Sequence, residues 1–188
     1  MTTITIDAGL IRAAMACQAK NDVRYYLNGI LIAANGDIVG TSGSVMFVGQ
    51  YTGDKIEKDT IISIDGTIPL NALSVELEFR DDAPGLVHLT SAKGKMPKIF
   101  SFSTIDGKFP DYQRAIPGTR SKWENGVGMN ASLLALIVKV YGKDSEIKIM
   151  YGTSAEAWAI TSTTIPGAVM VIMPMRIKNG NFKSLIEG

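Results

Sequence analysis

Polar and apolar residues alternate from Thr3 to Ile6, the period of a half-buried strand. Asp7 follows, placed to cap a helix over about 8–20, where its carboxylate would satisfy early backbone N–H groups. Leu10, Ile11, Ala14 and Met15 fall on one face of that helix, and Arg12, Ala16, Ala19 and Lys20 fall roughly opposite. After Asn21-Asp22 the pattern becomes that of a strand, and the aromatic and aliphatic run Val23–Ala33 reads as one strand. Asn35-Gly36-Asp37 is a hairpin turn signal, because Asn and Gly accept positive φ. Ile38–Thr41 and Val45–Tyr51 read as two more strands, split by Ser42-Gly43-Ser44. Residues 3–51 therefore predict the order β-α-β-β-β.

Residues 60–105 read mostly as strand: Thr60–Ile64, Ser74–Arg80, Leu86–Ser91 and Lys98–Ile105. Pro69–Ser74 is the one place for a helix there, of one or two turns at most. Residues 106–122 hold two prolines and two glycines among polar residues and read as a connector. The last unit repeats the first. Val127–Met129 reads as a short strand, Asn130 caps a helix over about 131–141, and Gly142 stops it. Leu133, Leu134, Ile137, Val140 and Tyr141 form the apolar face of that helix; Ser132, Ala135, Lys139 and Lys143 form the other side. Glu146–Tyr151, Ala155–Ser162 and Ala168–Arg176 read as strands, and Lys178–Gly188 as a loose tail. The fold class is α+β, with a recurring β-α-β-β-β unit.

Charge and composition narrow the picture only a little. Net charge is +1, from 19 basic and 18 acidic residues. That excludes a grossly basic nucleic-acid binder but leaves room for a local basic face. No apolar run reaches the ~18 residues that would span a bilayer. A single cysteine, Cys17, cannot form an internal disulfide, which points to a reducing cytoplasm. The one histidine, His88, lies between Val87 and Leu89 in a predicted strand, without the partners that a metal site or catalytic triad needs. No phosphate-binding loop and no paired-cysteine spacing occurs. Catalysis, metal and cofactor are therefore not expected.

Four segments carry a resemblance. Val23-Arg24-Tyr25-Tyr26-Leu27-Asn28-Gly29 resembles "VRYYLNG", and Thr41-Ser42-Gly43-Ser44-Val45-Met46 stands where "TDGHRL" would. The run from Asp106 to Pro117 resembles "DGRFPDYRRVLP", and the run from Val171 to Ile177 resembles "VVMPMRL". These are motifs of the bacterial sliding-clamp family, the DNA polymerase III beta subunit. The resemblance implies a DNA-clamp fold, with antiparallel sheets outside and helices on an inner face. Residues 1–117 match the middle domain of the family, and residues 123–177 match the second half of its last domain. The family's first domain has no counterpart, as in a shortened chain of phage or mobile-element type.

In the family these segments line a hydrophobic pocket for a short peptide of the polymerase or clamp loader. Carried over, the pocket is Leu27, Thr41, Gly43, Met46, Pro110, Arg114, Ala115, Val171, Met173, Pro174, Met175 and Arg176. Leu, Met and Pro make an apolar groove, and methionine adapts to several partners. Ser42, Ser44, Val45 and Ala115 depart from the family pattern, removing charge and volume from one side. Clamps touch DNA through cations on the inner helix faces, without reading bases. Arg12, Lys20, Arg24, Lys139 and Lys143 are the candidates here. The expected function is a processivity clamp that encircles duplex DNA as a homo-oligomeric ring. The ring would hold four chains if the strand-rich middle segment counts as a third unit, and six if only two full units exist. The alternative is a non-encircling module that captures clamp-binding peptides.

Overall fold

The computed structural model describes residues 2–116, 128–151 and 156–175. Strand β1 (Thr2–Asp7) runs without a loop into helix α1 (Ala8–Cys17), and Asp7 ends the one and caps the other, accepting from Gly9 N at 2.6 Å. Then come β2 (Ile30–Ile32), β3 (Asp37–Thr41), β4 (Val45–Gln50), β5 (Thr60–Asp65), β6 (Ala72–Phe79), β7 (Gly85–Ser91) and β8 (Gly94–Ile105). Helix α2 (Ala131–Tyr141) is followed by β9 (Ile147–Met150), β10 (Trp158–Ser162) and β11 (Val169–Ile172). The eleven strands form one antiparallel sheet in the order β1-β6-β7-β8-β5-β2-β3-β4-β11-β10-β9.

The strand order shows an exchange. β1 opens the first unit but pairs with β6 of the second, and β5 opens the second unit but pairs with β2 of the first. The two units are thereby interlocked. The second unit has strands only: between β5 and β6 lies the short stretch 66–71, where the first unit has α1.

Both helices lie on one face of the sheet. Along β2, Ile30 and Ile32 turn to the helix side while Leu31 turns away. Along β4, Val45 and Phe47 turn in while Met46 and Val48 turn away, and β11 divides Met170 and Ile172 from Val171 in the same manner. Both faces are apolar here, which is why these strands read as unbroken hydrophobic runs. Farther along, β1, β6 and β7 bury Ile4, Ile6, Val75, Leu77, Val87 and Leu89 on the helix side and alternate these with Thr5, Glu76 and His88.

Helix α1 sits very close to the sheet. A Cβ on Gly40 of β3 would lie 1.9 Å from the carbonyl oxygen of Ala14, so only glycine fits. Gly49 of β4 likewise makes room for Leu10. Six of the ten helix residues are buried as a result, including Ala8, Ala13 and Ala14. Helix α2 packs beside α1 through the buried Val140 and Tyr141, and the Tyr141 hydroxyl donates to the Ile160 carbonyl at 2.6 Å.

Several expectations are corrected. Val23–Ala33 is not one strand: Tyr25–Leu27 is a 3-10 turn, and only Ile30–Ile32 pairs. Asp22 accepts from Arg24 N and from the Arg24 guanidinium, and the Asn28 amide exchanges two bonds with the Asp22 backbone. Local polar contacts thus outcompete the ladder over 22–28. Pro69–Ser74 contains no helix; a turn, with Ala72 N donating to Pro69 O, leads straight into β6. Residues 128 and 129 are not strand, and 127 lies outside the described residues, as do 117–122 and the tail 178–188. The last two strands are shorter than expected, and Met173-Pro174-Met175 has left the sheet.

Gly40→Ala forces α1 off β3 and costs about 1–3 kcal/mol or more, as overpacking does. Chemical denaturation checks this. An unchanged midpoint would show that the helix can lift without loss.

Candidate functional site

The β3–β4 turn builds one end of a pocket on the sheet face opposite the helices. Gly43 holds φ +86°, and Thr41 Oγ1 accepts from Gly43 N at 3.0 Å while donating to the Val45 carbonyl at 2.8 Å. Met173 N donates to the Ser44 carbonyl at 3.0 Å, so the chain leaving β11 hangs on this turn. Buried Leu27, Met46 and Val171 supply apolar floor. The connector after β8 crosses above them and supplies Pro110, Asp111, Tyr112 and Ala115 as a wall. The enclosed volume is about 230 Å³.

Tyr112 fixes that wall. Its hydroxyl donates to Asp37 Oδ2 at 2.8 Å and accepts from Asn35 Nδ2 at 3.2 Å, which ties the connector to the β2–β3 hairpin. Burial first, and then the Asp37 carboxylate, raise its pKa. Phe109 and Ile116 pack onto the same apolar face. At the rim, Arg24 pairs with Asp22 at 2.8 Å and reaches the Ser42 carbonyl at 3.3 Å. The hydrogen bonds from Arg24 hold the Asp22 carboxyl down at about 2.

Of the twelve residues expected at the pocket, Leu27, Thr41, Gly43, Met46, Pro110, Ala115, Val171 and Met173 line it together. Arg114 stands beside them on an exposed 3-10 turn, with Nε 3.9 Å from Asp111 Oδ2, and does not line the cavity. Pro174 and Met175 lead away from it; Met175 N bonds to Gly128 O at 2.9 Å. Arg176 lies outside the described residues. Arg24, Tyr26, Ser44, Val45, Asp111 and Tyr112 also line the pocket, and sequence reasoning left them out. The signal was there, since each falls inside a quoted motif.

The helix face carries a second feature, an open groove of about 1350 Å³. Arg12, Lys20, Lys139 and Lys143 all line it, although they come from opposite ends of the chain. Lys20, Lys139 and Lys143 are exposed, and Lys143 stands 3.9 Å from Asp144. Arg12 is half-buried, and its Nη1 donates to the carbonyls of Pro69 and Ala72 at 2.9 and 3.1 Å. Burial lowers its pKa, against an opposing pull from Asp7. Arg12 therefore braces the loop that stands where the second unit lacks a helix. Arg24, the fifth expected cation, lies at the pocket on the other face.

Neither Cys17 nor His88 joins either site. Burial pushes the Cys17 thiol up to about 12, and His88 Nε2 stands 3.3 Å from Glu78. Among the described residues there is no cluster of three metal-ligating side chains, and no helix long and apolar enough to cross a membrane.

No family model matches the chain. Curated relatives do. The beta sliding clamp of Vibrio cholerae is 32% identical over 122 residues, covering 61% of this chain and 32% of the relative. The beta sliding clamp of Escherichia coli K12 is 28% identical over 185 residues, covering 87% and 49%. Solved sliding-clamp structures superpose on nearly the whole chain. That from Pseudomonas aeruginosa gives a TM-score of 0.65 at 18% identity over 93% of this chain and 67% of its own. The DNA polymerase III beta subunit of Thermotoga maritima gives 0.66 at 14% identity over 95% and 66%. The chain is related to the bacterial beta sliding clamps. Its fold is the clamp fold, and it spans about a third to a half of the curated relatives it matches.

Tyr112→Phe removes the tie to Asp37 and costs about 1 kcal/mol, with faster amide exchange over residues 109–116. Denaturation and hydrogen exchange measure this, and unchanged exchange would rule out the tie. The Asp22 carboxyl, whose folded pKa is depressed, keeps its Arg24 pairing above the ordinary carboxylate range and loses it as pH falls toward about 2. An NMR titration of Asp22 should have its midpoint near there. In Arg24→Ala it should rise but stay below the ordinary carboxylate value, because the backbone N–H of residue 24 still donates to Asp22. An unchanged midpoint would rule out the guanidinium as the main cause.

Proposed function

We propose that this chain acts as a DNA sliding clamp, a processivity factor without chemistry of its own. Copies assemble into a ring around duplex DNA, and the pocket of each holds a peptide of the polymerase or clamp loader. The observation that carries this reading is the placement of two unlike surfaces on opposite faces of one sheet. Lys20, Lys139, Lys143 and Arg12 gather on the helix face. The apolar pocket of Leu27, Met46, Pro110 and Val171 lies on the other. A protein that must ride on a polyanion while tethering an enzyme needs these functions separated. Groove cations attract phosphates without fixing a register, which sliding requires. An apolar, methionine-edged pocket grips aliphatic or aromatic anchors of a short peptide.

The unit count supports a ring of four chains. The chain holds one complete unit, one helix-less unit and one α-β-β-β unit. Four copies would supply twelve units, in the cytoplasm where replication runs. β1 and β9 end the sheet, and all four residues of β9 are exposed. Those edges support joining of neighbouring copies.

Retention on closed circular DNA, lost when the circle is cut, tests encirclement. Release from both forms alike would favour a non-encircling peptide-capture module. Light scattering at micromolar concentration should give an oligomer, and a strict monomer would sink the ring. Met173→Ala, at the pocket mouth, should weaken binding of a clamp-loader peptide by roughly tenfold, the ~1–2 kcal/mol expected of a lost apolar contact.

A further inference from the structure

The strand unit β5–β8 has no helix, and the stretch that replaces it, Gly66-Thr67-Ile68-Pro69-Leu70-Asn71, carries no charge. Helices α1 and α2 bring Arg12 and Lys139 to the groove; this unit brings none by that route. Its cations are elsewhere. From Ala83 to Ile105 there is no Asp or Glu, yet Lys93, Lys95 and Lys98 fall within six residues at the β7–β8 hairpin. In a chain of net charge +1 this is a pronounced local excess.

The hairpin is built to present them. β7 ends at Ser91 and β8 begins at Gly94, whose φ of +99° closes a tight turn. The ladder then slips: His88 pairs with Ile99, but Thr90 pairs with Lys95, so β8 bulges between Lys95 and Ile99. All three lysines are exposed; Lys98 shares the helix side with Phe100, Lys93 sits in the turn, and Lys95, paired with Thr90, faces the other side. The Lys98 ammonium lies 4.7 Å from the centre of the Phe100 ring. The same ring is in contact with Gly66, which lines the cation-bearing groove. Lys98 is thus one aromatic ring away from the groove wall, on the helix side to which Phe100 belongs.

We propose that the β7–β8 hairpin is a second phosphate-binding element, a strand-borne stand-in for the cations that the missing helix does not supply. Its ligand is the sugar-phosphate backbone of duplex DNA, held without base contacts. This rests on the DNA-clamp reading above. The hairpin extends the contact track from the groove onto β7 and β8.

The test is the salt dependence of binding to a short linear duplex at low ionic strength, with the full chain. Each phosphate contact contributes about 0.9 to the slope of log Kobs against log salt. K93Q/K95Q/K98Q should lower the slope by about 1–2, the contribution of Lys93 and Lys98, with thermal stability and peptide binding unchanged. K93R/K95R/K98R should restore it, which separates charge from folding. A triple Gln variant with the slope and affinity of the wild-type chain overturns the hairpin assignment alone. A wild-type chain that binds no duplex overturns it together with the clamp reading.

Discussion

The structure depends on how near α1 comes to the sheet. At Gly40 the helix backbone rests on the strand with no side chain between them. Ala8, Ala13 and Ala14 keep the same spacing elsewhere along the helix. A helix held at that distance leaves little freedom in its angle. Its direction sets where Arg12 points and where α2 can lie alongside. Small residues, usually read as filler, here fix the geometry of the cation-bearing face.

The second organising feature is a sheet that is apolar on both sides over part of its breadth. On the helix side, Ile30, Phe47 and Met170 form a continuous core. On the far side, Leu31, Met46 and Val171 would lie open to water, but Phe109, Tyr112 and Ile116 cover them. Hydrophobic burial therefore holds the connector down, while the tyrosine hydroxyl decides its register. The pocket is the gap that this cover leaves beside the β3–β4 turn.

Much of this was legible in the sequence, and where it was not the reasons are physical. Asn130 and Gly142 bracket a helix because cap and stop act within one turn, and α2 runs from Ala131 to Tyr141 as their spacing predicts. Val23–Ala33 misled because its aromatic residues suggest a strand, whereas Asp22, Arg24 and Asn28 bond to one another and to the local backbone first. The pocket was visible through motifs, yet Tyr112 was left off it. Its role comes from a bond to Asp37, far away in sequence. The groove was harder still. Lys20, just past α1, and Lys139 of α2 share one groove only because the two helices pack side by side, and no local pattern records that.

The connector has an evolutionary consequence. One wall of the pocket is a segment that belongs to no strand, fastened by one hydroxyl and a few apolar side chains. Changes at Pro110, Asp111 or Ala115 can reshape the pocket while the interlocked strands beneath stay as they are. Drift in a handful of surface codons is enough to change the shape and polarity of the pocket. The pocket wall and the scaffold are free to diverge at different rates.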